Sequence, residues 1–409
     1  MARVRHPIIW TLLYLPFGAL SGFVTVALTF LATRHGLSIT EGALLGGAQL
    51  ISQWLKWTWA PVVDLTSTPK RWYVGATAGT ALGVFVMSIM PLGPKTLPAL
   101  LAVVAVTSLV NSLVGMAIEA MLAADTPKGE EGSVSAWFQA GNLGGSGLGG
   151  GIGLLLLTRM PEPWMAGAIM ATLFMACNFA LWGVPDAPRT HYGALGPAVR
   201  AVFGDLATLA RSRGGALAMW LCFLPIGTGA AAGVLTQAKV AGIWGAGENE
   251  VALVQGFLVA AVMAVGCFLG GWLSDRMGPK PAYASVGVAL GVVAVATALT
   301  TPGGVIPVPG PPVYWYVAWS LIYSLGVGLA YAAFTAVVLE AIGTGTAATQ
   351  YSLFASLSNF PIWWLGLLLG AVADQFGAAT MLYTEAGLGV IGVGLFLAAS
   401  AAWKAGPAR

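Results

Sequence analysis

Three observations predict an all-α integral membrane protein, with twelve transmembrane helices in two pseudo-symmetric six-helix bundles. Hydrophobic residues make up 57% of the chain and charged residues only 8%, whereas a soluble domain carries about a quarter charged residues. Mean hydropathy is +0.82. Landmarks of the first half return in the second: Leu15-Pro16-Phe17-Gly18 as Leu224-Pro225-Ile226-Gly227, Asp64 as Asp275, and Glu119 as Glu340. A chain that repeats itself in parallel register reads as two copies of one bundle.

Apolar runs long enough to cross a bilayer, roughly 20 residues each, fall at 8–33, 38–62, 72–92, 97–123, 133–157, 163–185, 214–238, 250–273, 281–301, 313–341, 347–373 and 377–403. The first starts near Pro7 with no Ala-x-Ala site, so it reads as a span and not as a signal peptide. The second carries Lys56 and is closed by Asp64, and the third opens on Trp72-Tyr73. The fourth holds Asn111 and ends near Glu119. Span five is crowded with glycine over Gly141–Gly153, where small residues let helices approach closely; its expected place is across the bundle interface. After span six comes the longest polar interruption, Asp186–Arg213, which divides the chain into 1–185, a linker 186–213, and 214–409. Spans seven to twelve repeat the plan, with the longer segment Pro302–Pro312 ahead of Tyr314-Trp315-Tyr316. Pro16, Pro225 and Pro361 mark expected kinks, which membrane helices tolerate.

Lys and Arg set the orientation. With the N-terminus inside, thirteen of the eighteen fall in cytoplasmic segments and only Arg34, Lys95, Arg159 and Lys239 outside. That bias places both termini in the cytoplasm of a cell inner membrane. The remaining cation, Lys56, lies inside a span.

The sharpest motif is Gly271-Trp272-Leu273-Ser274-Asp275-Arg276-Met277-Gly278-Pro279-Lys280, at the inner end of span eight. It resembles the G-x-L-x-D-R-x-G-x-K signature of the major facilitator superfamily. The first copy keeps only the aspartate, and reads Lys56-Trp57-Thr58-Trp59-Ala60-Pro61-Val62-Val63-Asp64. That stretch, with Ala348-Thr349-Gln350-Tyr351 opening span eleven, resembles the peptide/acetyl-coenzyme A transporter family of muropeptide and siderophore permeases. The resemblance implies alternating access by two rocking bundles and a sizeable polar or amphipathic solute, such as a muropeptide, siderophore or acyl-coenzyme A. Chain length favours a plain twelve-helix form over the longer muropeptide permeases. Asp275 is expected against the positive N-terminus of a helix from the other half, with Arg276 and Lys280 bridging to carboxylates when the inner face is shut. Asp64 takes the matching gate position.

Intramembrane charges mark function by default. Glu119 and Glu340 lie near the inner ends of spans four and ten, where each suits a pair with its own half's loop cations: Lys70 or Arg71 for Glu119, Arg276 or Lys280 for Glu340. Glu340 reads as gate; Glu119 reads as gate or as the proton-coupling carboxylate. Lys56 either snorkels or pairs with Asp64, or faces the cavity as a cation for an anionic solute. Candidate cavity residues are Tyr14, Gln53, Lys56, Asn111, Gln139, Asn142, Gln237, Tyr331, Gln350 and Asn359.

No enzyme constellation assembles. His6, His35 and His191 lie at span ends or in loops, and Cys177, Cys222 and Cys267 lack metal-ligand spacing. No metal, no cofactor and no nucleic acid are expected; the expected partners are a small solute, protons and lipid, around a monomer. The composite expectation is proton-coupled uptake of a solute. Proton-driven efflux of amphipathic drugs is the alternative, since span five faintly resembles the glycine-rich fifth helix of drug/proton antiporters without its proline. A non-transporting assembly factor on the same fold is the other alternative.

Overall fold

The computed structural model describes residues 6–35, 37, 39–185, 195–235, 238–247, 250, 253–254, 258–342 and 346–405. Among these every regular element is helical. The helices are α1 Ile8–Gly22, α2 Thr29–Arg34, α3 Ile39–Leu55, α4 Ala60–Thr66, α5 Pro69–Ile89, α6 Leu97–Asp125, α7 Glu131–Arg159, α8 Pro163–Ala176 and α9 Leu195–Arg211. The second half adds α10 Arg213–Phe223, α11 Ala230–Leu235, α12 Ala238–Ala241, α13 Val259–Met277, α14 Pro279–Leu299, α15 Pro312–Ala341 and α16 Ala347–Ala405. Nine segments of the described residues are long and apolar enough to cross a membrane. The outward faces suit lipid: Leu82, Val106, Phe179 and Val292 are each more than 60% exposed, an apolar display that water does not tolerate over large patches.

Among the described residues all twelve apolar runs contain helix, and several depart from one plain α-helix per run. Spans eleven and twelve run on as α16 with a break at Gly377, whose φ of 85° belongs to the left-handed region. Span two is interrupted by a 3₁₀ turn over Lys56–Thr58, after which Pro61 sits in the first turn of α4, where a missing N–H is harmless. Span seven is cut. α10 stops at Phe223, and Gly227 and Gly229 take φ of 62° and 66° before α11 begins. Pro225 removes a donor there, and the two positive-φ glycines turn the chain where other residues would be strained. Pro16 behaves differently: α1 runs through it and widens into a π-helical turn over Phe23–Leu28. Pro361 lies inside α16.

The chain divides into two compact units. One comprises 1–127, 137–206 and 342–356; the other comprises 128–136, 207–341 and 357–409. The first has a core of Leu20, Phe23, Val24 and Leu28 of the first span packed on Val84, Met87, Leu100, Val104, Met170 and Phe174. A smaller cluster joins Ala60, Val63, Met116, Ala120 and Ala348. The glycines of span five from Gly141 to Gly149 lie against α1 within this unit. A Cβ on Gly141 would strike Thr11, on Gly145 Leu15, and on Gly149 Ala19; from the α1 side, Gly18 and Gly22 meet Asn142 and Ser146. Backbone-to-backbone approach of this kind is possible only without side chains.

In the second unit, Gly266 and Gly270 of α13 pack on the backbone of Leu325, Gly328 and Leu329 of α15. One tie recurs in both units. Tyr73 donates its hydroxyl to Leu13 O at 2.8 Å, and Tyr283 donates to Ile226 O at 2.7 Å. Each pins the third span of its half to a carbonyl beside the Leu-Pro repeat.

Candidate functional site

Lys56 is a buried cation of the first unit, 2% exposed. The 3₁₀ turn that ends α3 aims its stem at α6, and Nζ donates to Glu119 Oε1 at 2.7 Å. Both side chains are almost wholly removed from solvent, at 3% and 1% exposure. Sequence spacing offers Glu119 the loop cations Lys70 or Arg71, and leaves Lys56 to snorkel, to pair with Asp64 or to face a cavity; the structure joins the two intramembrane charges to each other. The reason is depth: an acid fully buried on α6 meets the neighbouring span and not the loop at its end.

The stretch Ala348-Thr349-Gln350-Tyr351-Ser352, opening α16, closes over this pair. Ser352 Oγ donates to Glu119 Oε2 at 3.5 Å, and the Tyr351 ring lies 5.6 Å from Lys56 Nζ, within cation–π range. Tyr351 meets Phe138 edge-on at 6.1 Å, and Phe138 stacks on Tyr14 at 3.9 Å, which stacks on Phe17 at 4.7 Å. An aromatic file thus runs from the ion pair to α1.

Asp64, just beyond the apolar run 38–62, holds the start of α16. Its carboxylate accepts from Ala348 N at 3.3 Å, Thr349 N at 2.9 Å and Thr349 Oγ1 at 2.7 Å. A helix N-terminus offers idle N–H groups and a positive dipole end to such an acid. Burial pushes the Asp64 carboxyl up to about 6, against the pull of those three bonds. Thr346 Oγ1 also donates to Asp205 Oδ2 of α9 at 3.2 Å.

Asp275 repeats the arrangement in the second unit. It accepts from Gly132 N, at the start of α7, at 2.8 Å. Gly132 and Gly271 leave the room for it, since a Cβ on either would strike the other's carbonyl oxygen. Lys280 Nζ donates to Glu340 Oε2 at 2.8 Å, a pair that sequence spacing anticipates. Arg276 lies over the Trp272 ring at 4.7 Å, and among the described residues it meets no carboxylate.

The remaining cavity candidates scatter. Asn111 Nδ2 donates to Phe17 O at 3.1 Å, while its Oδ1 is buried without a partner among the described residues. Asn142 Nδ2 donates to Gln139 Oε1 at 3.0 Å, and Gln350 Nε2 to Thr346 Oγ1 at 3.4 Å. Gln53 is partly buried on α3, and Tyr331 and Asn359 are partly buried in the second unit. Gln237 lies outside the described residues.

Sequence reasoning passed over Ser352 and Thr349 as side chains of the site, and Glu385 altogether. Glu385 accepts from Tyr323 Oη at 2.6 Å and from Ala231 N at 3.1 Å in the second unit. Its signal was available: it is the lone carboxylate of span twelve.

The sequence model of the Major Facilitator Superfamily matches residues 10–365. Among solved structures, the proton:xylose symporter XylE superposes with a TM-score of 0.72 at 15% identity, covering 98% of this chain and 96% of its own. The human organic anion transporter MFSD10 gives 0.69 at 15% identity, covering 95% and 98%. A bacterial homologue of the iron transporter ferroportin gives 0.67 at 16% identity, covering 98% and 100%. At these identities the likeness is one of fold.

Proposed function

Since this chain belongs to the major facilitator superfamily, we propose that it is a secondary active transporter of the cell inner membrane that takes up an anionic polar or amphipathic solute together with protons. The observation that carries this is the meeting of Lys56, Glu119, Tyr351 and Ser352. The two stretches that resemble the peptide/acetyl-coenzyme A transporter family, 56–64 and 348–351, are the ones that come together there.

An ammonium held by one carboxylate in an apolar span is a two-state device. While Glu119 is ionised, Lys56 is satisfied. A proton on Glu119 cancels the pair and leaves the cation needing another anion, because an unpaired buried charge is costly. A solute carboxylate or phosphate meets that need, and the tryptophans and Tyr351 beside Lys56 offer flat faces to a sugar or base. Solute and proton then enter on the same occasion, which is symport. Asp64 and Asp275, each bonded to a helix N-terminus, serve as latches that open during alternating access; Lys280, Glu340 and Arg276 brace the second.

Purified protein in proteoliposomes tests this, with an imposed inward proton gradient and three probes: an anhydro-muropeptide, a ferric hydroxamate siderophore and acetyl-coenzyme A. Gradient-driven accumulation of an anionic probe is expected. Glu119→Gln should abolish accumulation yet retain counterflow exchange, which needs no net proton movement. Accumulation driven by an outward gradient would turn the reading to efflux, and full pH-driven uptake by Glu119→Gln would remove Glu119 as the proton carrier.

A further inference from the structure

Glu385 is a partly buried acid of the second unit, on α16 beyond the Gly377 break. One carboxylate oxygen, Oε1, takes both donors: the Tyr323 hydroxyl at 2.6 Å and the Ala231 N–H at 3.1 Å. The other, Oε2, is shut off from solvent and has no partner among the described residues. Tyr323 is 1% exposed, so water does not reach the site from that side.

Among the described residues the surroundings offer no counter-charge. The break at Leu224–Gly229 and α11 carry no titratable residue. From α14, Lys280 is bound to Glu340 and Tyr283 to Ile226 O. From α15, Tyr316 donates to Leu235 O, Tyr314 is exposed, and Tyr323 is the titratable group in contact. A bare anionic oxygen in such a place costs far more than a neutral hydroxyl lacking a partner.

We propose that Glu385 is a second proton-binding site, which carries its proton on Oε2 in this conformation and gives it up to water when the break ahead of α11 opens. The link to the break is the Ala231 bond. A carboxylate holds an N–H about twice as strongly as a neutral acid does, so the proton's departure tightens Glu385 on the first turn of α11 and its return loosens it. The inference deepens the proton-coupled reading above and rests on that reading for its consequence: the second unit has its own proton-sensitive joint, at the cut in span seven.

Infrared pH-difference spectroscopy on the full chain in proteoliposomes tests it without transport. The wild type should show the carbonyl stretch of a protonated, buried carboxylic acid that disappears at high pH and shifts in heavy water. Glu385→Gln should lose that band, Glu119→Gln should keep it, and Tyr323→Phe should move it to higher frequency because the carbonyl oxygen loses its donor. A wild type with no such band, or a band unchanged in Glu385→Gln, overturns the proposal. Should Glu385→Gln fail to fold, an unshifted band in Tyr323→Phe overturns it equally. Failure of symport with this band intact would sink the transport reading alone.

Discussion

The repeat places two glutamates at matching positions, and the two units use them in opposite ways. Glu119 and Glu340 each hold a lysine, at 2.7 Å and 2.8 Å. By distance the pairs are twins. By environment they are not: the first is 3% and 1% exposed, the second 19% and 42%. A surface pair contributes about 0–1 kcal/mol, because water and salt already screen both charges. Two charges in an apolar interior depend on each other entirely, and losing one strands its partner at about 3–5 kcal/mol. The partners differ in kind as well. Lys280 comes from the loop motif, as the superfamily signature leads one to expect, whereas Lys56 comes from inside span two. The same landmark stands in a half-exposed ion pair in one unit and in a buried one in the other.

The largest expected effect breaks the buried pair. Glu119→Gln leaves the Lys56 ammonium in an apolar span without its carboxylate, and a loss of about 3–5 kcal/mol is expected in chemical unfolding of the detergent-solubilised protein. Lys56→Met should cost less, since the stranded carboxyl can neutralise itself by taking a proton while the ammonium must give one up. The double variant Lys56→Met/Glu119→Gln should recover most of the loss. Additive losses would show that the two side chains are not coupled, and the contrast with Lys280–Glu340 would collapse.

Much of this contrast was legible in the chain and its key contact was not. Composition, the repeat and the charge bias are sums over many residues, so they survive local error and lead to the all-α membrane fold. Lys280 lies close to its partner's end of the neighbouring span, and a loop cation beside an acid at the membrane edge is easily paired. Lys56 and Glu119 are separated by rotation of two helices about their own axes, which hydropathy cannot give when buried faces and lipid faces are both apolar. The glycines of span five were legible as a close-packing surface but not as α1's partner, for the same reason. Pro225 with Gly227 and Gly229 announced a bend; that it is a complete cut depends on both glycines adopting positive φ. Glu385 was simply readable, as an acid alone in an apolar run.

An intermediate effect sharpens the comparison at the latches. Asp64 takes three bonds from Ala348 and Thr349, and the hydroxyl of Thr349 is one of them. Thr349→Val keeps shape and both N–H donors but removes that hydroxyl, at an expected loss of about 1.5–3 kcal/mol for a bond to a charged group. Its pH dependence is the check. The folded-state value of about 6 lies above the ordinary carboxyl value of 3.8, so ionisation opposes folding, and the stability from this group falls as pH rises between those values. The hydroxyl matters most once Asp64 is ionised. The gap between Thr349→Val and wild type should therefore be full at pH 8 and narrow below about pH 5. A gap that is the same at both would mean that the hydroxyl supports packing and not the carboxylate.

The smallest effect is at the exposed clasp, and its smallness is the point. Glu340 is 42% exposed, so Glu340→Gln leaves Lys280 in reach of water and should shift unfolding by about 0–1 kcal/mol, less at high salt. Stability is then the wrong readout for its job. If the clasp braces a latch, its worth appears in the balance between two conformations that are each stable, where a fraction of a kcal/mol already changes occupancy. The sharper measurement is the labelling rate of a cysteine introduced beside Asp275, for instance Met277→Cys, by a membrane-impermeant maleimide in inside-out vesicles. Glu340→Gln should speed labelling by a few fold at low salt, and the difference should fade as salt screens the pair in the parent. A Glu340→Gln variant that unfolds as readily as Glu119→Gln would show that position in the repeat, and not burial, sets the worth of these glutamates.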